Sequence, residues 1–237
     1  MSTTNEQAQT DRIVEPSKFR LLWVLFAGLA ILLLIWICTH VFIDSIYAFD
    51  RSILLFVQAL GDPADPAAPP VLIRLARDVT SLGSATVMTL ITLSVSGFLM
   101  LTRRHRTSLL VLASVAGGAV LSKLLKFAFD RPRPDVMPHA EEVYNASFPS
   151  GHAMMAAITY LTLGALLTGV QKDAQMKRYI LIWSVSLTVL VGTSRIILGV
   201  HWPTDVIGGW CVGSIWALVC WSFGERIRTS GSPNSSI

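Results

Sequence analysis

Long apolar runs separated by short polar stretches, most of them carrying proline or glycine, set the character of this chain. Six runs are long enough to cross a bilayer as helices, which takes about 20 mostly apolar residues: Leu21–Ile43, Leu82–Leu101, Thr107–Phe129, Ser150–Val170, Tyr179–Val200 and Pro203–Phe223. The pattern predicts an all-α, polytopic membrane protein. Between the first two runs lies a long loop in which Gly61-Asp62-Pro63-Ala64-Asp65-Pro66 and Pro69-Pro70 break any helix. On either side of that break, Ile46–Leu60 and Val71–Val79 mix apolar residues with Arg or Asp, as short interfacial helices do. Two roles stay open for this loop, a collar around a lipid-facing entrance or a plain connection.

Polar ends frame one membrane domain, expected over residues 18–223. Residues 1–17 and 224–237 hold too few apolar side chains to offset the entropy of ordering and are expected to be disordered tails. The first run follows Lys18 and Arg20, which raises a cleaved signal peptide as an alternative to a retained helix. Its length, and the lack of a small-x-small cleavage site after it, favour retention.

Composition agrees with a membrane setting: 52% of residues are hydrophobic and only 14% charged, too little polar surface for a soluble domain of 237 residues. The charge then fixes orientation, because short loops rich in Lys and Arg stay in the cytoplasm. Arg103, Arg104 and Arg106 fill one such loop and Lys172, Lys177 and Arg178 another, while Lys18, Arg20, Arg226 and Arg228 flank the ends. Both termini are therefore expected to be cytoplasmic, with the loops at 43–81 and 130–149 and the turn at His201 on the opposite face. This bias accounts for most of the +4 formal charge, so nucleic acid is not an expected partner. Cys38, Cys211 and Cys220 lie inside spans and read as small packing residues. Gly117-Gly118, and Gly209 with Gly213 four residues on, read as points of close helix approach, and the seven tryptophans as packing or interface residues.

Chemistry gathers in three strings at the outward ends of these spans. Lys126 is followed seven residues later by Arg133-Pro134. These cations suit a phosphate, Arg through its planar fork and Lys as a point charge, although either would also snorkel from a span end. Pro149-Ser150-Gly151-His152 opens the fourth span. A helix starting there aims unpaired N–H groups at an anion, Gly151 permits close backbone approach, and Ser150 is either a hydroxyl donor or simply an N-cap. His152 stands where a proton donor reaches a leaving oxygen. In the third string Ser194-Arg195 precedes His201, and Asp205 follows four residues on, in the first turn after Pro203. A carboxylate at that spacing fixes the imidazole tautomer and frees Nε2 to attack. The same pair suits a metal, but no third ligand of suitable type lies nearby in sequence. Ionisable groups at membrane depth are costly, and six of them at one set of span ends point to a shared site.

Taken together, the three strings resemble the signature of the type 2 phosphatidic acid phosphatase superfamily: Lys, six residues, Arg-Pro; Pro-Ser-Gly-His; and Ser-Arg, five residues, His, three residues, Asp. The pattern is met in full, and the six-span layout is similar over nearly the whole chain. The resemblance implies that His201 is a nucleophile forming a phosphohistidine, oriented by Asp205. His152 then protonates the departing oxygen and later activates water. Lys126, Arg133 and Arg195 hold the phosphoryl oxygens with Ser150 and the Gly151 amide. No metal or other cofactor is required. The expected activity is hydrolysis of a lipid phosphate or diphosphate at the outer face of the inner (cytoplasmic) membrane. Undecaprenyl diphosphate, phosphatidic acid, phosphatidylglycerol phosphate and lipid A phosphate are candidate substrates that the motifs do not separate. Membrane lipids are the surroundings, and no obligate protein partner is inferred. The alternatives are transfer of the phosphoryl group to an acceptor other than water, and a non-catalytic lipid carrier or anion transporter. The last has no use for an oriented His201–Asp205 pair.

Overall fold

The computed structural model describes residues 15–42, 45–59, 70–135 and 146–230. Among them, every regular element is helical: α1 (Glu15–Phe42), α2 (Tyr47–Ala59), α3 (Pro70–Ser81), α4 (Ala85–Leu101), α5 (His105–Phe129), α6 (Gly151–Val170), α7 (Ala174–Ile197) and α8 (Pro203–Ser230). The expected all-α architecture is what forms.

Local chemistry sets the helix ends. Ser84 caps α4 by accepting the Val87 N–H at 3.3 Å, and Asp173 caps α7 through the Met176 N–H at 2.8 Å. Asp173 thus starts α7 five residues ahead of the expected Tyr179. At its other end Gly199, in the left-handed region at φ 68°, turns the chain out of α7 before the expected Val200. Pro203 begins α8, as its fixed φ and missing N–H favour at a first helical position. α8 runs past the expected boundary at Gly224 to Ser230, because a polar segment can continue a helix beyond its apolar part. Residues 1–14 and 231–237, where disordered tails are expected, lie outside the described residues, as do 60–69, where prolines are expected to break the helix.

Among the described residues, four helices are each long and apolar enough to cross a membrane: α5, α6, α7 and α8 over Pro203–Gly224. The expected second span does not stand alone. The Ser84 cap shortens it to the 17 residues of α4, and α3 leads into it across a 42° bend, so the two form one broken span or a re-entrant pair. α1, Glu15–Phe42, covers the expected Leu21–Ile43 run to within one residue, with Ala27–Val41 as its described apolar stretch. Among the described residues, length and hydropathy thus mark four spans, or five with the bent α3–α4 pair taken as one. The segments expected on either side of the prolines are indeed helices, α2 and α3. α3 lies along α7, while α2 reaches both α7 and α8.

The interior is built around α6, which packs on α5, α7 and α8. Ala153, Met154, Ala156, Ala157 and Ile158 on it are fully buried. Small residues make this possible, as expected of Gly209 and Gly213. A methyl group at Gly209 would lie 2.8 Å from the Ser150 carbonyl oxygen, and one at Gly213 would lie 2.6 Å from that of Met154. α8 and α6 therefore meet backbone to backbone, which fixes His152 and Asp205 at the same end of the pair. Gly117 similarly receives the Trp216 ring and Gly118 the Ile158 side chain. The outer surface is apolar, with Leu124, Phe127, Leu90 and Leu32 projecting from it. Cys38, Cys211 and Cys220 are free thiols.

Adding a methyl group at Gly213 forces one helix backbone off another, where no side chain can yield. Gly213→Ala is expected to cost about 1–3 kcal/mol. At exposed Gly97, in mid-helix with nothing within 4 Å of an added methyl, Gly97→Ala is expected to gain up to about 1 kcal/mol. Thermal unfolding in detergent measures both, and equal effects would contradict the close α6–α8 contact.

Candidate active site

Four helix ends converge on one side of the bundle: the C-termini of α5 and α7 and the N-termini of α6 and α8. The opposite ends carry the basic turns at Arg103–Arg106 and at Lys172. The converging ends bring the sequence-predicted residues together. His201 and Asp205 are both buried, with Nδ1 and Oδ2 3.5 Å apart. On the far side of the ring, Nε2 lies 3.3 Å from Arg133 Nη1, which also donates to the Val200 carbonyl at 2.7 Å. One ring nitrogen thus faces a carboxylate and the other a cation. That polarity favours the tautomer with hydrogen on Nδ1 and a lone pair on Nε2.

The remaining predicted residues surround this pair. Lys126 Nζ is 2.6 Å from the Ala146 carbonyl. Its Cε would be 3.7 Å from a methyl placed on Gly151, so the bare Gly151 backbone opens beside the ammonium group. Ser150 is the N-cap residue of α6 by position, but its hydroxyl makes no capping bond. Its Oγ is buried with no hydrogen-bond partner among the described residues, and its N–H donates to the Asp205 carbonyl at 3.0 Å. His152 rests against Gly83, where an added methyl would meet its Cδ2 at 3.3 Å. It lies within electrostatic range of Arg195, His201, Lys126 and Arg133. Arg195 is buried, and its Nη1 donates to Thr80 Oγ1 at 2.9 Å. The two imidazoles and three cations therefore share one cluster.

Burial pulls the His201 imidazole down to about 4, and Arg133 and Arg195 push in the same direction, while Asp205 works against them. The ring is therefore neutral at physiological pH, the form in which a lone pair can attack. Its carboxylate partner is held by more than the ring. Asp205 Oδ2 accepts the Trp202 N–H at 2.9 Å and a short bond from the Ser147 hydroxyl, and Ser147 Oγ is also 3.3 Å from His201 Nδ1. Oδ1 accepts from Arg131 Nη1 at 2.6 Å.

Five residues around the site were not singled out from the sequence: Asp50, Thr80, Arg131, Ser147 and Thr204. Asp50 carried a signal, since a carboxylate in the apolar run Ser45-Ile46-Tyr47-Ala48-Phe49-Asp50 is costly without a partner. Arg131, beside the Arg133 of the first string, had none of its own. Among the described residues, no three His, Cys, Asp or Glu side chains are grouped as metal ligands would be.

The model of the PAP2 superfamily matches residues 107–228, just over half the chain. Phosphatidylglycerophosphatase B of Bacillus subtilis is 31% identical over 172 residues, which covers 72% of this chain and 84% of that one. An undecaprenyl-diphosphatase of Sulfolobus acidocaldarius is 37% identical over 95 residues, 40% of each chain. Among solved structures, a transmembrane PAP2 type phosphatidylglycerolphosphate phosphatase from Bacillus subtilis superposes with a TM-score of 0.75 at 27% identity, covering 85% of this chain and 96% of that one. The fold and the site thus define a helical membrane enzyme of the phosphatase class. The chain belongs to the PAP2 superfamily.

With five histidines in the chain, selective nitrogen labelling makes the His201 state measurable. Its NMR signals are expected to show a neutral ring with hydrogen on Nδ1 as pH falls from 7 to 5, protonation setting in only towards about 4. A ring titrating near 6.5 would contradict the buried geometry.

Proposed function

We propose that this chain is an integral membrane phosphatase that removes phosphate from a lipid phosphate or diphosphate through a phosphohistidine on His201. One observation carries the reading: the neutral His201 ring is clamped with Nδ1 toward Asp205 and Nε2 toward Arg133. A transporter or carrier would need the cations but not this oriented ring.

In the proposed reaction, Lys126, Arg133 and Arg195 gather around the phosphoryl oxygens, with the Ser150 hydroxyl and the Gly151 N–H as further donors. The Ser150 Oγ, buried without a partner among the described residues, supports that assignment. Fixed cations there would stabilise charge as it spreads over the transferring group. The His201 Nε2 lone pair forms the N–P bond as the P–O bond to the lipid breaks, and His152 gives its proton to the departing oxygen. Asp205 offsets the positive charge that the phosphorylated ring acquires. In the second half His152 takes a proton from water, the water oxygen bonds to phosphorus, and the N–P bond breaks to release inorganic phosphate. These steps need only water and groups of this chain.

The same reading gives six crossings, both termini in the cytoplasm and the site at the outer face of the inner membrane. Support comes from the basic turns at Arg103–Arg106 and Lys172–Arg178, which sit at the helix ends away from the site. Exposed apolar side chains on the outer surface of α4 and α5 suit a lipid tail approaching sideways between helices. All the proposed contacts are to the phosphoryl group, so phosphatidylglycerol phosphate, undecaprenyl diphosphate, phosphatidic acid and lipid A phosphate all remain within the substrate class.

Purified protein is expected to release free phosphate from at least one of these lipids in step with its loss. His201→Ala should lower that rate by roughly 10⁴-fold or more while still inserting in the membrane. Undiminished turnover by that variant would remove the nucleophile. Activity is expected to survive EDTA and to be blocked by vanadate, which adopts the trigonal-bipyramidal phosphoryl geometry. Loss in EDTA with recovery on adding Mg²⁺ or Zn²⁺ would contradict the proposed chemistry.

A further inference from the structure

Asp50 is fully buried and 155 residues away from Asp205 in sequence, yet one guanidinium joins them. Arg131 places Nη2 2.8 Å from Asp50 Oδ2 and Nη1 2.6 Å from Asp205 Oδ1. Nη1 also donates to Thr204 Oγ1 at 2.9 Å, and the guanidinium carbon stands 5.7 Å from the Trp202 ring centre. Asp50 in turn grips the start of α8: its Oδ1 accepts the Thr204 N–H at 3.0 Å, and its Oδ2 accepts the Thr204 hydroxyl proton at 2.5 Å. That N–H belongs to the first turn of α8, where the helix itself offers no acceptor. Asp50 therefore acts as a capping carboxylate supplied by another helix, where negative charge is favoured.

We infer that Asp50 and Arg131 are positioning residues for the reaction proposed above, a buried relay that fixes which oxygen of Asp205 meets His201. With Oδ1 occupied by Arg131, only Oδ2 is left for the Trp202 N–H, the Ser147 hydroxyl and His201 Nδ1. The carboxylate cannot rotate without breaking a charge-assisted bond in a buried setting, where such bonds are strongest. Charge points the same way. Two carboxylates and one guanidinium leave one net negative charge beside a neutral ring, and N–P bond formation would give that ring its compensating positive charge. Asp50 supplies this surplus without touching the ring. It also ties α2, on the outer loop, to the catalytic end of α8.

The inference rests on His201 acting as the nucleophile, so its test carries one readout that depends on turnover and one that does not. Asp50→Asn keeps the shape and removes the charge. Kinetics on the purified variant are expected to show kcat lowered about 10–100-fold, the range typical for partners that orient a reacting ligand, with KM little changed. Arg131→Ala should fall further and recover in part with added methylguanidinium, which a merely structural defect would not do. Independently, the His201 nitrogen signals of Arg131→Ala should show the Nδ1–H preference weakened. Should the wild type release no phosphate from any lipid, the proposed activity fails while the tautomer measurement still decides the relay. Wild-type kcat in Asp50→Asn, or an unchanged His201 tautomer in Arg131→Ala, would overturn the relay. So would equal losses in both variants with no methylguanidinium rescue and an intact His201 tautomer.

Discussion

A carboxylate with no exposed surface has to find all of its compensation inside the protein, and Asp205 is where this structure meets that demand. Its two oxygens receive an arginine, a serine hydroxyl and a backbone N–H, and one of them stands beside an imidazole. Those partners come from the segment after α5, the turn before α8 and the approach to α6. One buried charge therefore dictates how three distant parts of the chain meet. Removing any partner would leave a desolvated charge uncompensated, which is far more costly than losing an exposed ion pair. The cluster is affordable only because α8 and α6 touch backbone to backbone at Gly209 and Gly213, bringing Asp205 and Ser150 to the same level.

Around that carboxylate the site divides into two electrostatic halves. Asp50, Arg131 and Asp205 make a closed, satisfied and slightly negative side. Lys126, Arg133 and Arg195 make a positive one, with the buried Ser150 hydroxyl unbonded among the described residues. His201 lies on the boundary, one nitrogen toward each half. A ring so placed is kept neutral by burial and aimed by charge, which suits attack on a phosphoryl group held by the cations. His152, on the first turn of α6, belongs to the positive half, where a departing oxygen would be found.

Much of this was legible in the sequence because the candidate site residues fall in three short strings with strict spacing. The structure gathers all eight of those residues at one end of the bundle. The apolar runs likewise announced α5, α6, α7 and α8. Legibility ended where meaning came from contact across long separations. Asp50 and Thr204 are 154 residues apart, and Arg131 gains its role only by standing between two carboxylates. Thr80, which holds Arg195 from 115 residues away, looks like any helix-end threonine until the chain folds. The break ahead of α4, inside the expected Leu82–Leu101 span, was not legible, since hydropathy does not register that Ser84 caps a new helix after a 42° bend.

Trapping the covalent state tests the account most directly. Labelled lipid phosphate mixed with the enzyme, quenched in alkali where phosphohistidine survives, and mapped by peptide mass spectrometry should place phosphate on His201. The label should disappear on further incubation as free phosphate accumulates. Label on His152 instead, or steady turnover with no labelled histidine at any time, would contradict the proposal that the clamped His201 ring is the group that attacks phosphorus.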